Sequence, residues 1–459
     1  MTRGALLIAG IALGGTGVVS WGFPGPARSR AELVFRGALA LLFGMGLTSA
    51  ASGALWLAAG ISWPAHAAMT FLGATLLATA ARRRRTSPGG AHASLDGAHA
   101  SPDGAHRPPG AARSWSGAAR PAPPELSIAF AVAATLVLSL FVEHSLRYPD
   151  GGWDALAIWN LRARSLWLGT PATAFAAELA LDHPGYPLLL PQLVADGLRS
   201  GAGAWAHIAP AIAFAALCVA LLASAAAMLR GPRTGLAAGL ALLGTPALLQ
   251  LGVTQCADVP VAASLLAACA LAALFTDRRA LALAGCAASL AAWTKNEAIL
   301  HGALLVLALL WARRPLKPFL LGALPVVLLL LWFKLRFALA NDLAAATTAA
   351  GVLRKVADVH RWLAIAGALV SRVWKFELWG LAAPAAVLLL IARWRAADRL
   401  LLHALLLFAT AIVAIYLATP VNLVEHLGSS LDRLLFQLAP VVLLAAASSL
   451  TLPRVAQRS

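Results

Sequence analysis

Between Gly37 and Ala81 the chain runs for 45 residues without one Asp, Glu, Lys or Arg. A helix that crosses a bilayer needs about 20 mainly apolar residues. This run is therefore predicted to hold two crossings that turn near GISWP, residues 60–64. Charge-free runs recur along nearly the whole chain, and only 12% of its residues are charged, against about 25% in ordinary soluble domains. Backbone polar groups in lipid must be satisfied within a helix or a closed barrel. Barrel strands alternate in character and these runs do not, so the expected fold is all-α and polytopic.

The runs give candidate spans at 4–21, two within 37–81, and then 126–142, 205–229, 235–252, 257–276, 279–294, 297–312, 318–337, 377–392, 400–419 and 434–451, about 13 in all. The stretch PLLLPQLVADGL at 187–198 is too short to cross comfortably and has a Pro at its fifth position. It is expected to be a partly embedded or surface helix. Three units follow: an N-terminal three-helix membrane unit over 1–81, a linker over 82–124 and a larger membrane unit over 125–459. The linker carries an imperfect seven-residue repeat, GAHASLD, GAHASPD, GAHRPPG. Gly, Pro, Ser and Ala at that density cannot build a core, and the segment reads as disordered.

Orientation follows from the basic residues. With Arg82–Arg85 in the cytoplasm, alternating crossings also put Arg28, Arg30, Arg230, Arg233, Arg278, Arg279, Arg313, Arg314, Lys317, Arg393, Arg395, Arg399, Arg454 and Arg458 inside. The net charge of +17 thus reads as span-end anchoring, and no basic–aromatic module outside the apolar runs points to nucleic acid. One outer segment breaks the rule. Residues 334–375 carry seven cations: Lys334, Arg336, Arg354, Lys355, Arg361, Arg372 and Lys375. Either the topology differs there or these cations bind an anionic ligand. Cys218, Cys256, Cys269 and Cys286 form no CxxC pair and suit small apolar packing better than a metal site or a disulfide framework.

Charged and aromatic residues gather in five places, all assigned to the outer side. In RYPDGGWDALAIWNLRARSLW, residues 147–167, the spacing from Gly152 onward predicts an amphipathic first-loop helix with Arg162 and Arg164 on its polar face. Its tryptophans fit an interfacial belt, which is one reading of the segment. Asp154 is suited to act as a general base on a hydroxyl, or to hold a divalent cation at a phosphate leaving group. In DHPGYP, residues 182–187, Asp182, His183 and Tyr186 form a rigid turn or line the same cavity. Asp258 is the only charge between Arg233 and Asp277; it is an N-cap for the next helix or a functional acid near bilayer depth. Lys295, Asn296 and Glu297 lie sixteen residues past Arg279, about 24 Å along a helix, short of the roughly 30 Å of hydrocarbon. Neighbours two apart on a helix face away from each other, so a phosphate is the better expected partner for Lys295 than Glu297. Last, NLVEHLGSSLDRLLFQLAP at 422–440 brings His426, Asp432 and Arg433 to the start of the final span. Arg433 either forks onto phosphate oxygens or snorkels to the interface.

These stretches together resemble the GT-C superfamily of membrane glycosyltransferases, in the bacterial branch of protein mannosyltransferases and aminoarabinose transferases. The resemblance covers roughly 126–450 and rests on Asp154 in GGWDALAIWN, on HPGYPLLLP, on TKNE and on HLGSSLDRLLFQLAP. It implies a multi-pass protein of the bacterial inner membrane and cell envelope with its active site facing the periplasm. The implied donor is a sugar on a polyprenyl phosphate, and the acceptor is a glycan, lipid or protein. Asp154 would be the base, Asp258 a second acid shaping the site, and Lys295 and Arg433 the phosphate ligands. The first loop reads WDALAIW where the family more often has an acidic pair followed by Tyr. A transporter or flippase for a lipid-linked or anionic substrate is the rival reading, because such proteins also bind substrate at helix breaks.

Overall fold

A computed structural model describes residues 2–86, 121–169, 183, 185–337 and 348–450. The linker repeat and Asp182 lie outside them. Every regular element among the described residues is helical. The helices are α1 (Arg3–Gly22), α2 (Arg30–Ala59), α3 (Trp63–Thr86), α4 (Pro124–Arg147), α5 (Leu161–Leu168), α6 (Leu189–Arg199), α7 (Trp205–Arg230), α8 (Pro232–Leu243), α9 (Pro246–Val253) and α10 (Asp258–Leu274). They continue as α11 (Arg278–Ala292), α12 (Glu297–Trp311), α13 (Leu316–Phe337), α14 (Ala349–Ala357), α15 (Val359–Val373), α16 (Phe376–Trp379), α17 (Ala382–Arg393), α18 (Arg399–Ala418) and α19 (Leu423–Ser449). By length and composition seven of the described helices can each cross a membrane alone, and α8 with α9, bent by 57° at a short break, makes an eighth. The rest of the expected spans are shorter or less apolar; α10 has 17 residues and α12 has 15.

The centre of the bundle is α10, in which every residue from Asp258 to Leu274 is buried. Its sequence is Ala, Leu and Val on all sides, the composition of a helix with no solvent face. The small side chains let α7, α11, α12, α18 and α19 approach it from around its circumference.

Contacts at the helix ends fall into two sets. At one end, Gly152 N donates to Thr254 O at 3.1 Å, Leu189 N to Trp293 O at 3.1 Å, and Lys334 Nζ to Asn296 Oδ1 at 2.8 Å. At the other, Arg279 reaches Trp21 O at 3.4 Å, Arg230 Nε reaches Ser448 O at 2.9 Å, and the rings of Phe23 and Phe275 lie 5.0 Å apart. Arg230 and Arg279, both placed on one side by the charge rule, share this second end.

The three N-terminal helices pack into the same core as the rest. Gly15 of α1 and Gly44 of α2 meet where a Cβ on either would strike the other helix's backbone, the close approach that small residues permit between membrane helices. Beyond the α2–α3 turn, Ser62 Oγ donates to Asp196 Oδ1 at 3.1 Å. The same carboxylate oxygen accepts from Gln192 at 3.0 Å and Arg199 at 2.8 Å, and His66 Nε2 lies 3.1 Å from Asp196 Oδ2. All of these groups sit on or against α6, which is buried from Leu189 to Gly197. The expected surface helix at 187–198 is thus an interior one. A hydrogen bond to a charged group is worth about 1.5–3 kcal/mol. Ser62→Ala should therefore lower the unfolding free energy of the purified protein by about that amount, and an unchanged midpoint would show that this contact does not secure α2 and α3.

Four of the seven contrary cations at 334–375 have a structural answer here, and Lys334 is bound to Asn296. Arg361 donates to Tyr416 O at 2.7 Å through Nη2, and Lys355 donates to Thr419 O at 2.6 Å. Both end on carbonyls of the last turn of α18, where a helix presents unsatisfied acceptors and partial negative charge. Arg372 pairs with Asp432 at 2.8 Å and Lys375 with Glu377 at 3.6 Å. The positive charge here caps a helix and meets local acids, which accounts for its departure from the orientation rule.

Candidate functional site

The local geometry of the first loop differs from the amphipathic helix expected. After Asp154 the backbone makes a π-helical turn, Ala155–Asn160, before α5 begins. The wider turn shifts the phase of everything after it. Arg162, expected on a polar face, is 1% exposed. It points inward and donates to the carbonyls of Tyr186 and His183. Trp153, Leu156, Leu161 and Leu168 face outward instead.

This loop is fastened to the α9–α10 junction. Asn160 Nδ2 donates to Gln255 Oε1 at 3.0 Å and to Asp150 O at 2.9 Å, and Gln255 Nε2 donates to Pro149 O at 2.8 Å. Gln255 holds φ at +56°, a left-handed conformation that non-glycine residues seldom adopt and that tends to persist where neighbours fix it. The result is that Asp154 is held over the start of α10.

At that start lies Asp258, fully buried. It does not cap the helix; α10 has no side-chain N-cap bond. Its Oδ1 accepts from Lys295 Nζ at 3.0 Å and from Gln437 Nε2 at 2.6 Å, and its Oδ2 accepts from Arg433 Nε at 3.0 Å. Arg433 Nη1 in turn lies 2.5 Å from Asp154 Oδ2. One guanidinium therefore bridges two carboxylates that are far apart in the chain. Arg433 does not snorkel, because it faces the interior of the bundle from ten residues into α19.

Lys295 also lies 3.3 Å from Glu297 Oε1. The expectation that these neighbours would face apart assumed a helix. Lys295 sits in the break between α11 and α12, where the backbone turns and lets both side chains converge. Its partners are thus two carboxylates of the protein. Glu297 Oε1 accepts from the Tyr186 hydroxyl at 3.4 Å. Burial, reinforced by the Glu297 carboxylate, pushes the Tyr186 phenol above its ordinary range, so it stays a donor. Tyr186 is stacked between Trp159, with centroids 5.3 Å apart, and His183, at 4.7 Å. His183 is exposed and holds φ at +53°. Asn296 accepts from Lys334.

The structure therefore brings Asp154, Asp258, Lys295, Asn296, Glu297, Arg433, Tyr186 and His183 to one place, from five separate parts of the chain. It does not bring Asp432 into this network; that carboxylate is engaged by Arg372. His426 bonds Thr419 Oγ1 at 2.8 Å and meets the edge of Tyr416, about two turns from Arg433 on the same helix. Three cations (Lys295, Lys334, Arg433) face three carboxylates (Asp154, Asp258, Glu297), so the cluster is close to neutral as it stands. Gln437, Lys334, Asn160 and Gln255 were not expected among the site residues. Two of them had a legible signal: Gln437 lies four positions after Arg433, on the same helical face, and Lys334 is one of the seven cations that break the orientation rule.

The carboxylates differ in access. Asp258 is 0% exposed, Glu297 15% and Asp154 25%. Only Asp154 combines an ion-pair partner with a substantial open face. The arrangement can present a carboxylate to an incoming hydroxyl and hold anionic oxygen with a guanidinium. Among the described residues no group of three or more His, Cys, Asp or Glu is placed to hold a metal ion.

A family model described as dolichyl-phosphate-mannose-protein mannosyltransferase matches residues 197–335. The match spans α7 to α13 and includes Asp258, Lys295, Asn296, Glu297 and Lys334, while Asp154, Tyr186 and Arg433 lie outside it. It supports a membrane glycosyltransferase of the GT-C type that uses a lipid-linked sugar donor. No curated protein sequence and no solved structure matches the chain.

Proposed function

We propose that the chain is an enzyme of the bacterial inner membrane with about thirteen crossings that transfers a hexose or pentose from a polyprenyl phosphate to an acceptor at the periplasmic face. The observation that carries this reading is the bridge made by Arg433 between the half-open Asp154 and the buried Asp258.

The bridge supports a coupled transfer. The acceptor hydroxyl gives its proton to Asp154 while its oxygen bonds to the anomeric carbon of the donor sugar. The bond from that carbon to the phosphate oxygen breaks, and the lipid phosphate leaves with one more negative charge than the diester had. Protonated Asp154 no longer neutralises Arg433, so guanidinium charge is released toward the phosphate as the phosphate gains charge. A base at the acceptor and a cation at the leaving group are what this reaction needs. Asp258 positions Arg433 throughout, and Gln437 and Lys295 in turn hold Asp258 through its other oxygen. His183, the exposed end of the Trp159–Tyr186–His183 stack, offers a flat ring face suited to a sugar ring. A divalent cation at the phosphate would take Asp154 as its one accessible carboxylate ligand and would then compete with Arg433 for it.

The test is purified protein incubated with a panel of polyprenyl-phosphate sugars and scored for release of the lipid phosphate. Turnover of at least one donor is expected, and it should persist in chelator if no metal is used. Vectorial movement of an unhydrolysed donor across vesicles, with no phosphate released, would establish the transporter reading in its place.

A further inference from the structure

At the end of the bundle opposite the charged cluster, a groove of about 1900 Å³ runs between α4, α7 and α8. Small-molecule sites are commonly about 300–1,000 Å³, so this one is of lipid size. Its walls are hydrocarbon, with Phe130, Val137 and Phe141 of α4 opposite Ala216, Val219 and Ala223 of α7. Along α4 the lining extends from Ser127 to Phe141, about 21 Å of helix within a hydrocarbon core of about 30 Å. The groove exists because α4 stands off from the bundle: 6% of its most apolar window is buried, against 72% for α19.

The mouth of the groove is basic. The α1–α2 turn contributes Arg28 and Arg30, and the start of α11 contributes Arg278. The Phe23–Phe275 and Arg279–Trp21 contacts hold these two segments together. Both acids that line the groove are occupied. Glu32 binds Arg36 at 2.5 Å and accepts from the Arg28 backbone N–H at 2.8 Å, while Asp277 caps α11 through the N–H groups of Arg279 and Ala280. Among the described residues the side chains of Arg28, Arg30 and Arg278 carry no hydrogen bond or ion pair, and all three are exposed. Three unneutralised guanidiniums above a hydrocarbon trough match a lipid whose headgroup bears a phosphate. Basic pockets between membrane helices recognise such headgroups, and guanidinium forks suit phosphate oxygens.

We propose that this groove holds one anionic glycerophospholipid of the leaflet opposite the charged cluster, with its phosphate at Arg28, Arg30 and Arg278 and its acyl chains between α4 and α7. The lipid completes the packing of α4, the helix that leads into the Asp154 loop.

Native mass spectrometry of the full chain, released from micelles carrying phosphatidylglycerol, phosphatidylcholine or polyprenyl phosphate, tests this. One phosphatidylglycerol should be retained in preference to phosphatidylcholine. An arginine near an anionic headgroup contributes about fivefold in affinity, so R28Q/R30Q/R278Q should weaken retention roughly a hundredfold. Ala216→Trp, which fills the trough and leaves the arginines intact, should also expel the lipid. Circular dichroism and an unchanged elution volume would establish that both variants fold. Equal retention of phosphatidylcholine would overturn the proposal. So would indifference to Ala216→Trp, competition by free glycerol phosphate as effective as the lipid, or displacement of phosphatidylglycerol by polyprenyl phosphate. Capture of residues 87–120 by a photocrosslinker at position 216 would show that the chain itself fills the groove, and would overturn it too.

Discussion

Asp258→Ala should lower the stability of the purified protein by about 3–5 kcal/mol, the cost of removing one partner from a buried charge pair. The carboxylate is wholly buried and accepts from Lys295, Arg433 and Gln437. Its removal leaves one fully buried ammonium with only Glu297 and withdraws the buried half of the Arg433 bridge. The measurement is the unfolding midpoint in detergent, followed by circular dichroism and by tryptophan emission, since Trp159 and Trp293 are buried close by. Asp258→Asn keeps an acceptor for Gln437 but not the charge, so it should fall between parent and Ala variant. Asp258→Leu with Lys295→Met replaces the pair by apolar groups and should recover much of the lost stability, as buried pairs exchanged for hydrophobes commonly do. Activity should not return. A change under about 0.5 kcal/mol for Asp258→Ala, the range of ordinary surface substitutions, would mean that this ion network is not what holds α10, α11 and α19 together.

Asp154→Asn should reduce kcat by about 10²–10⁴-fold, the range contributed by a positioned general base. The amide is nearly the same size, so the loop should fold unchanged. Arg433 loses one of its two carboxylate partners, and the anionic donor should bind as tightly as before or more tightly. A fall in kcat with KM for the donor unchanged or lower is therefore the expected signature. Equal loss in donor affinity would place Asp154 in binding, and undiminished phosphate release would remove it from the chemistry. The two substitutions separate cleanly, because Asp154→Asn should leave the unfolding midpoint almost unmoved while Asp258→Ala should not.

Much of the charged cluster was legible before any coordinates. A charge inside a long apolar run is expensive, and that rule alone singles out Asp258, Lys295 and Arg433. Their partners were not legible, because pairing between residues 37 and 175 positions apart is a property of the tertiary fold. Lys295 shows the limit well. The rule that residues two apart diverge holds on a helix, and it failed because the chain breaks at that point. Arg162 shows a second limit, since a single π turn changes the phase of every later residue and no hydropathy pattern announces it. The joining of α1–α3 to the rest was hidden for another reason. It rests on the close approach of Gly46 and Gly53 of α2 to Leu290 and Trp293 and on a buried polar knot around Asp196, and neither carries a hydrophobic period.

The central position of α10 implies an order of biogenesis. Asp258 is the only charge in that helix and is its first residue; a carboxylate at the centre of a helix opposes insertion by about 2.5–3.5 kcal/mol and one at its end by less. The ribosome delivers Lys295 37 residues after it but Arg433 only 175 residues after it. α10 and α11 are therefore suited to leave the translocon as a hairpin already neutralised by its own lysine, with the arginine docking once α19 is made. The synthesis of α19 would then be the step that turns a correctly inserted membrane protein into a competent one.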